Sequence, residues 1–237
     1  MEDSRFGRML SVLWSPTATF ESIARRPTWV VPLLVLALVT AVFTFVVHQH
    51  TDYYELTQYS MERGGNDMSD EQLEGIVEMQ EKVAGFGWIA VLVIVPLFVL
   101  LFTLLSWVGL KLLGGDLSFL QALGVQTHAS MPAVLLALIG MAVIAPQGDL
   151  PAEQIANQSY VMSNLAFLAP EGAGAALTAV LASLEFFSIW GLILAVIGYR
   201  VAARVSTGVA AVVVGILWLL GVALRVGGAI LSAGGMG

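Results

Sequence analysis

Apolar residues in this chain gather into long runs separated by short polar stretches. Five runs approach the roughly 20 residues a helix needs to cross a hydrocarbon core about 30 Å thick. They are Trp29–Val47, Phe86–Leu110, Leu120–Ala145, Ala175–Ile197 and Val205–Val226. The pattern predicts an all-α, polytopic membrane protein, a five-transmembrane-helix bundle over residues 29–226. Pro96 and Pro132 fall inside the second and third runs and are expected to kink them, which a surrounding bundle tolerates.

Residues 1–28 form a separate amphipathic segment. Phe6, Met9, Leu10, Leu13 and Trp14 fall at i, i+3, i+4, i+7 and i+8, with Arg5 and Arg8 at the flank. Ser15-Pro16 suits the N-cap and first position of a second short helix carrying apolar Phe20 and Ile23. Two readings stay open: the segment lies in the inner headgroup layer, or it packs under the bundle. The first run is too long for the apolar core of a cleaved signal and ends in His48-Gln49-His50-Thr51-Asp52, so a retained anchor helix is expected.

Between the first two runs, residues 48–84 are polar. Ser69-Asp70-Glu71-Gln72 resembles a capping box, and Leu73, Ile76, Val77 and Val83 continue near helical spacing. A helix is therefore expected from about Asp70 into the second span. A second loop, 146–174, predicts a short helix from Pro151 to about Leu168. Residues 227–237 are glycine-rich and suggest a flexible tail.

Composition agrees with the pattern: the chain is 58% hydrophobic and 11% charged, too little charge to cover a soluble domain of 237 residues. Charge also sets an expected orientation. With the N-terminus inside, Arg5, Arg8, Arg25, Arg26, Lys111, Arg200 and Arg204 lie on the cytoplasmic side, against Arg63, Lys82 and Arg225 outside. The 48–84 loop carries Asp52, Glu55, Glu62, Asp67, Asp70, Glu71, Glu74, Glu78 and Glu81. With Arg63 and Lys82 its net charge equals the −7 of the whole chain. That loop is either a solvated helical extension or a docking surface for a basic partner or divalent cations.

Glu185 is the main candidate for chemistry, because it falls near the middle of the fourth run. An acid at that depth costs at least about 2.5 kcal/mol and should face the bundle or a wet cavity. His128 and Gln126, at the polar head of the third run, are further intramembrane polar candidates, and His128 is a possible partner for Glu185. The acid is structural glue, a contact to a partner subunit, or a proton or cation site. Small residues repeat every four positions at Ala129, Ala133 and Ala137, at Ala175, Ala179 and Ser183, and at Ala211 and Gly215. Such spacing lets helices approach closely in lipid, within one chain or between chains.

Catalytic and metal signatures are missing from the sequence. There is no cysteine, HExxH, GxSxG, P-loop or GxGxxG, and His48 and His50 alternate rather than sharing a helical face. No enzyme activity, cofactor or metal is expected. Sparse Lys and Arg argue against nucleic-acid binding.

Several stretches resemble the Yip family of Rab-GTPase-interacting membrane proteins, in its bacterial branch. Phe186-Phe187-Ser188-Ile189-Trp190-Gly191 and Gly198-Tyr199-Arg200 resemble the entry and exit of the family's fourth helix. Phe187, Trp190, Gly198 and Arg200 are the motif positions there. Gly114-Gly115, Phe119, Gln121-Ala122 and Met131-Pro132 resemble the approach to the third helix, and Ser15-Pro16 with Phe20 and Ile23 the N-terminal segment. The resemblance implies five membrane helices and a cytoplasmic N-terminus. Some bacterial relatives resemble accessory membrane subunits of efflux transporters. The expected role is a non-enzymatic accessory or scaffold protein of a bacterial cytoplasmic (inner) membrane. Its partners would be the lipid bilayer and other integral membrane proteins, or a second copy. The alternatives are a small transporter or channel with Glu185 in the pathway, and a membrane-shaping or lipid-sensing protein.

Overall fold

A computed structural model describes residues 5–64, 69–170 and 172–234. The expected charges of Asp67, and the side chains of Arg5 and Arg63, lie outside the described residues. The helices in chain order are α1 (Arg5–Ser11), α2 (Pro16–Arg25), α3 (Val30–Gln49), α4 (Tyr53–Gly64), α5 (Asp70–Leu112) and α6 (Phe119–Ala129). There follow α7 (Met131–Ile144), α8 (Ala152–Ala156), α9 (Ala175–Ser183), α10 (Phe186–Ala203) and α11 (Thr207–Gly234), with a 3-10 turn at Leu165–Leu168. Among the described residues, 5 segments are long and apolar enough to cross a membrane: Val30–Gln49, Asp70–Leu112, Phe119–Ile144, Phe186–Ala203 and Thr207–Leu231. The fold is all-α, as the hydropathy pattern requires.

Local chemistry accounts for several helix ends. α5 begins at Asp70, where the Ser69 backbone N–H donates to Gln72 Oε1 at 3.1 Å. Its 43 residues rise about 64 Å, twice the hydrocarbon thickness, so the acid-coated first half extends beyond the membrane core. The helix continues through Pro96. α6 begins with a second capping box: Ser118 Oγ accepts from Gln121 N–H at 3.3 Å, and Gln121 Oε1 accepts from Ser118 N–H at 2.7 Å. Pro132 acts as expected on the third span, which breaks at Ser130 into α6 and α7. Proline offers no N–H to the carbonyl one turn back. At the break, Ser130 N–H and Oγ both donate to Gln126 O, at 3.2 and 2.9 Å.

Four expectations change. The second loop does not hold one helix from Pro151 to Leu168. α8 stops at Ala156, because Gln158 and Met162 adopt positive φ (51° and 48°) and Asn164 caps the separate 3-10 turn. The polar 48–84 segment gains α4, capped by Asp52 Oδ1 on the N–H groups of Tyr54 and Glu55. α11 runs on past Val226 to Gly234 where a tail was expected. The fourth span is shifted: the helix ending at Ser183 and the one starting at Phe186 are separate elements.

The chain divides into two compact units. The first comprises Met1–Thr40, Val91–Leu136 and Phe187–Leu220, the second Ala41–Ala90, Ala137–Phe186 and Gly221–Gly237. In the first unit α2 lies against α6 and α10. Phe20 and Ile23 are fully buried. A Cβ on Gly198 would meet Val125 Cγ1 at 2.6 Å and Phe20 Cε1 at 2.9 Å, and one on Gly124 would meet Ile23 Cγ2 at 2.8 Å. Only hydrogen fits at either position. Burial of two such apolar side chains stabilises the attachment by about 1.5–3 kcal/mol each. In the second unit, Leu150 N–H donates to His50 O at 2.7 Å and Leu150 is buried. Tyr160 packs edge-on against Phe43, ring centroids 5.7 Å apart.

The N-terminal stripe does not form one face. α1 ends at Ser11, so Leu13 and Trp14 leave the helical register. Met9 and Val12 point into the core, while Phe6, Leu10 and Trp14 are exposed. The segment packs against the rest of its unit and still presents apolar side chains outward.

The packing sets the expected outcome of three substitutions. Gly198→Leu forces a side chain into Phe20 and Val125 and should cost about 1–3 kcal/mol, lowering Tm in detergent by several degrees. Gly227→Ala, inside α11 with nothing within 4 Å, should not lower Tm and should raise it slightly. Burial raises the Tyr160 phenol to about 12, because desolvation disfavours the phenolate. The unfolded phenol loses its proton near pH 10, so this contribution to stability is complete below about pH 10 and disappears as pH rises towards 12. Tyr160→Phe should flatten the alkaline limb of a Tm-versus-pH curve, and an unchanged limb would refute the assignment.

Candidate functional site

Polar side chains inside the first unit gather where α1, α2 and the turn after α2 meet α6. Arg8 projects inward from α1 and is buried; its Nη1 donates to Arg26 O at 3.2 Å. Ser11 and Thr19 share a hydrogen bond of 2.9 Å that ties α1 to α2. Gln121 Nε2 donates to Ala24 O at 2.7 Å, joining the head of α6 to the end of α2. Thr127 and His128 are fully buried on α6. Thr127 Oγ1 donates to Leu123 O at 2.9 Å. His128 Nδ1 lies 2.8 Å from Gly124 O, so that nitrogen carries the ring proton. The imidazole feels the charge of the nearby Arg8 guanidinium.

Gln126 is occupied structurally. Tyr199, fully buried on α10, donates its hydroxyl to Gln126 Oε1 at 3.0 Å. A buried phenol and a carboxamide satisfy each other here in a medium where an unmade hydrogen bond is expensive. The sequence pointed to Gln126 and His128 as polar residues in an apolar run. It did not point to Tyr199 as their neighbour, nor to Arg8 as a buried cation, because both depend on which helices meet.

The family-motif positions have packing roles. Phe187 and Trp190 stack with centroids 6.5 Å apart. A Cβ on Gly191 would lie 3.0 Å from Ala129 O. Gly198 admits Phe20, Pro132 ends the α6 register, and Arg200 is exposed on the last turn of α10.

In the second unit Glu185 is buried, 8% exposed, but it does not sit in the middle of a helix. It follows the break after α9 and forms an isolated antiparallel bridge with Asn164. Phe186 N–H donates to Ser163 O at 2.9 Å, so the 158–164 turn takes up the backbone groups that the break releases. Glu185, expected near the middle of the fourth membrane run, stands instead at the junction between α9 and α10. Uniform hydropathy through Ala175–Ile197 concealed the interruption.

The two loop histidines are held by neighbours. His48 Nδ1 lies 2.9 Å from Tyr53 Oη and His50 Nδ1 lies 3.0 Å from Gly148 O. Tyr53 in this cluster is raised above its ordinary value, chiefly by burial. Elsewhere the surface ions contribute little. Asp116 lies 3.8 Å from Lys111 and 3.9 Å from Arg204, all three largely exposed, and such pairs are worth at most about 1 kcal/mol.

The family described as the Yip1 domain matches residues 10–227. The membrane protein YknW of Bacillus subtilis (strain 168) is 30% identical over 202 residues, covering 84% of this chain and 79% of the relative. No solved structure matches the chain. A family match that runs from α1 into α11, together with apolar membrane-length helices and the Gly198–Phe20 contact at the resembling motif, leads to one conclusion: the chain belongs to the Yip1 domain family of membrane proteins.

Proposed function

We propose that this protein is a non-enzymatic accessory or scaffold subunit of a bacterial cytoplasmic membrane, with its N-terminus in the cytoplasm. In this reading it works through helix contacts with another integral membrane protein, such as an efflux transporter, or with a second copy of itself.

One observation carries the reading. The small residues expected to mediate helix contacts differ in burial, with Ala133 exposed and Ala175 half-buried. Ala129, Ala137, Ala179 and Ser183 are buried inside the chain. Ala211 on α11 is exposed, and a Cβ on Gly215 would meet nothing within 4 Å. The small-xxx-small spacing on α11 is therefore unused within the monomer, and in lipid such a face supports close approach of another helix. Exposed Val212, Ile216, Leu219 and Leu220 surround it with apolar surface. The lack of catalytic signatures and the family resemblance support the same reading. A transport pathway through Glu185 has less support, since that residue stands at a helix break engaged with the 158–164 turn.

Wild-type protein extracted from native membranes in mild detergent should carry a stoichiometric membrane-protein partner or a second copy, identified by mass spectrometry. Gly215→Leu should weaken that association by about 1–2 kcal/mol, near tenfold in recovery, with Tm unchanged. A wild-type chain that emerges as a lone monomer would sink the proposal. Orientation is checked in the same cysteine-free background. Glu55→Cys on α4 should react with an impermeant maleimide in intact cells, and Thr17→Cys on α2 only after permeabilisation; the opposite pattern would reverse the topology.

A further inference from the structure

Among the described residues, the buried side-chain polar atoms that find no hydrogen-bond partner belong to three residues: Arg8 Nε, Thr28 Oγ1 and His128 Nε2. All three residues lie in the first unit, where their contacts meet around Arg26–Thr28 and Gly124–His128. Arg8 Nη1 reaches Arg26 O, two residues before Thr28. The Thr28 backbone lies over Gly124, with Thr28 O 3.3 Å and Thr28 N 3.8 Å from a Cβ built there. His128 is one helical turn on from Gly124, is bound to its carbonyl, and feels the Arg8 charge.

Buried polar groups are normally satisfied, and a buried guanidinium normally has a counter-ion. Arg8 is 8% exposed, yet among the described residues the ion pairs involve only Lys82–Glu78, Lys111–Asp116 and Arg204–Asp116. A negative group would complete the pairing of the buried Arg8 guanidinium. It must accept from Arg8 Nε–H and Thr28 Oγ–H. Because His128 Nδ1 holds the ring proton, Nε2 offers a lone pair and needs a donor. A phosphate monoester has both properties near neutral pH: with its second pKa near 6–7, it presents P–O⁻ and P–OH together. A carboxylate is fully deprotonated there, a phosphodiester has no ionisable proton left, and chloride has none at all.

We propose that Arg8, Thr28 and His128 form a phosphomonoester-binding site, with anionic oxygens on Arg8 and Thr28 and the P–OH on His128 Nε2. The source of the phosphate is either a phosphatidate headgroup of the membrane or free phosphate. The site stands whether or not α11 takes a partner.

The full-length protein in nanodiscs is the test object. Inorganic phosphate is titrated by calorimetry against chloride at equal ionic strength. In parallel, Tm is compared in phosphatidylcholine nanodiscs containing either phosphatidate or phosphatidylglycerol. Saturable phosphate binding assigns a free ligand; stabilisation by phosphatidate above phosphatidylglycerol, without free-phosphate binding, assigns the lipid. In either case Arg8→Gln and Thr28→Val should weaken the effect about tenfold or more, and Lys111→Gln should not. Should Arg8→Gln fail to fold, Thr28→Val decides alone, since it replaces the unpaired hydroxyl by a methyl of similar size. Equal effects of phosphatidate and phosphatidylglycerol would overturn the monoester assignment. No binding by the folded wild type, or binding unchanged in Thr28→Val, would overturn the site.

Discussion

The close approach of α2 to α6 and α10 is the contact on which the first unit depends. It exists because Gly124 and Gly198 carry no side chain. Phe20 fills the space over Gly198, and Ile23 the space over Gly124. In lipid, helices gain little from hiding apolar surface from one another, so van der Waals fit decides which faces meet. For α2, a short helix outside the membrane-length spans, burial of Phe20 and Ile23 adds a hydrophobic term. Once α2 is seated, the turn at Arg26–Thr28 crosses α6, and α1 folds back so that Arg8 reaches the Arg26 carbonyl.

A consequence of that seating is the concentration of polar groups in a short stretch of α6. Gln126 takes the Tyr199 hydroxyl, Thr127 returns its proton to the backbone, and His128 turns one nitrogen to Gly124. Each of these hydrogen bonds removes the penalty of a bare dipole in an apolar setting. The same logic makes the unmatched atoms of Arg8, Thr28 and His128 informative, because a folded interior rarely leaves three such atoms together. The second unit solves a related problem differently. There the backbone itself breaks, and the groups released around Glu185 and Phe186 pair with Ser163 and Asn164.

The outer surfaces divide by chemistry in a way that fits a membrane protein. α3 presents Leu34, Leu38, Val42 and Phe45, and α5 presents Val93, Leu97, Leu101 and Leu104, apolar ridges suited to hydrocarbon. The first half of α5 is acid-coated and steadied by its cap at Ser69 and by Lys82 with Glu78. Against this background the open Ala211–Gly215 stretch stands out by size: large side chains solvate a helix in lipid well, whereas small ones leave room for another backbone.

The amino-acid order alone determined the class, the approximate spans and several helix starts. Length and apolarity of a run decide whether a helix can cross a bilayer, and signals such as Pro16 at the start of α2 and the Ser69–Gln72 cap act within one turn of chain. The N-terminal stripe, the Glu185 position and the second loop were not legible in the same way. α1 stops at Ser11, the fourth run breaks after Ser183, and the 151–168 segment turns at Gln158 and Met162. None of these interruptions changes hydropathy, so periodicity passes straight through them. They arise where a neighbouring segment offers hydrogen bonds or space that the local chain cannot foresee. Whether Arg8 faces water or the interior, and whether Gly215 faces a neighbour or the open, depends on which helices pack together, and that is a property of the tertiary structure alone.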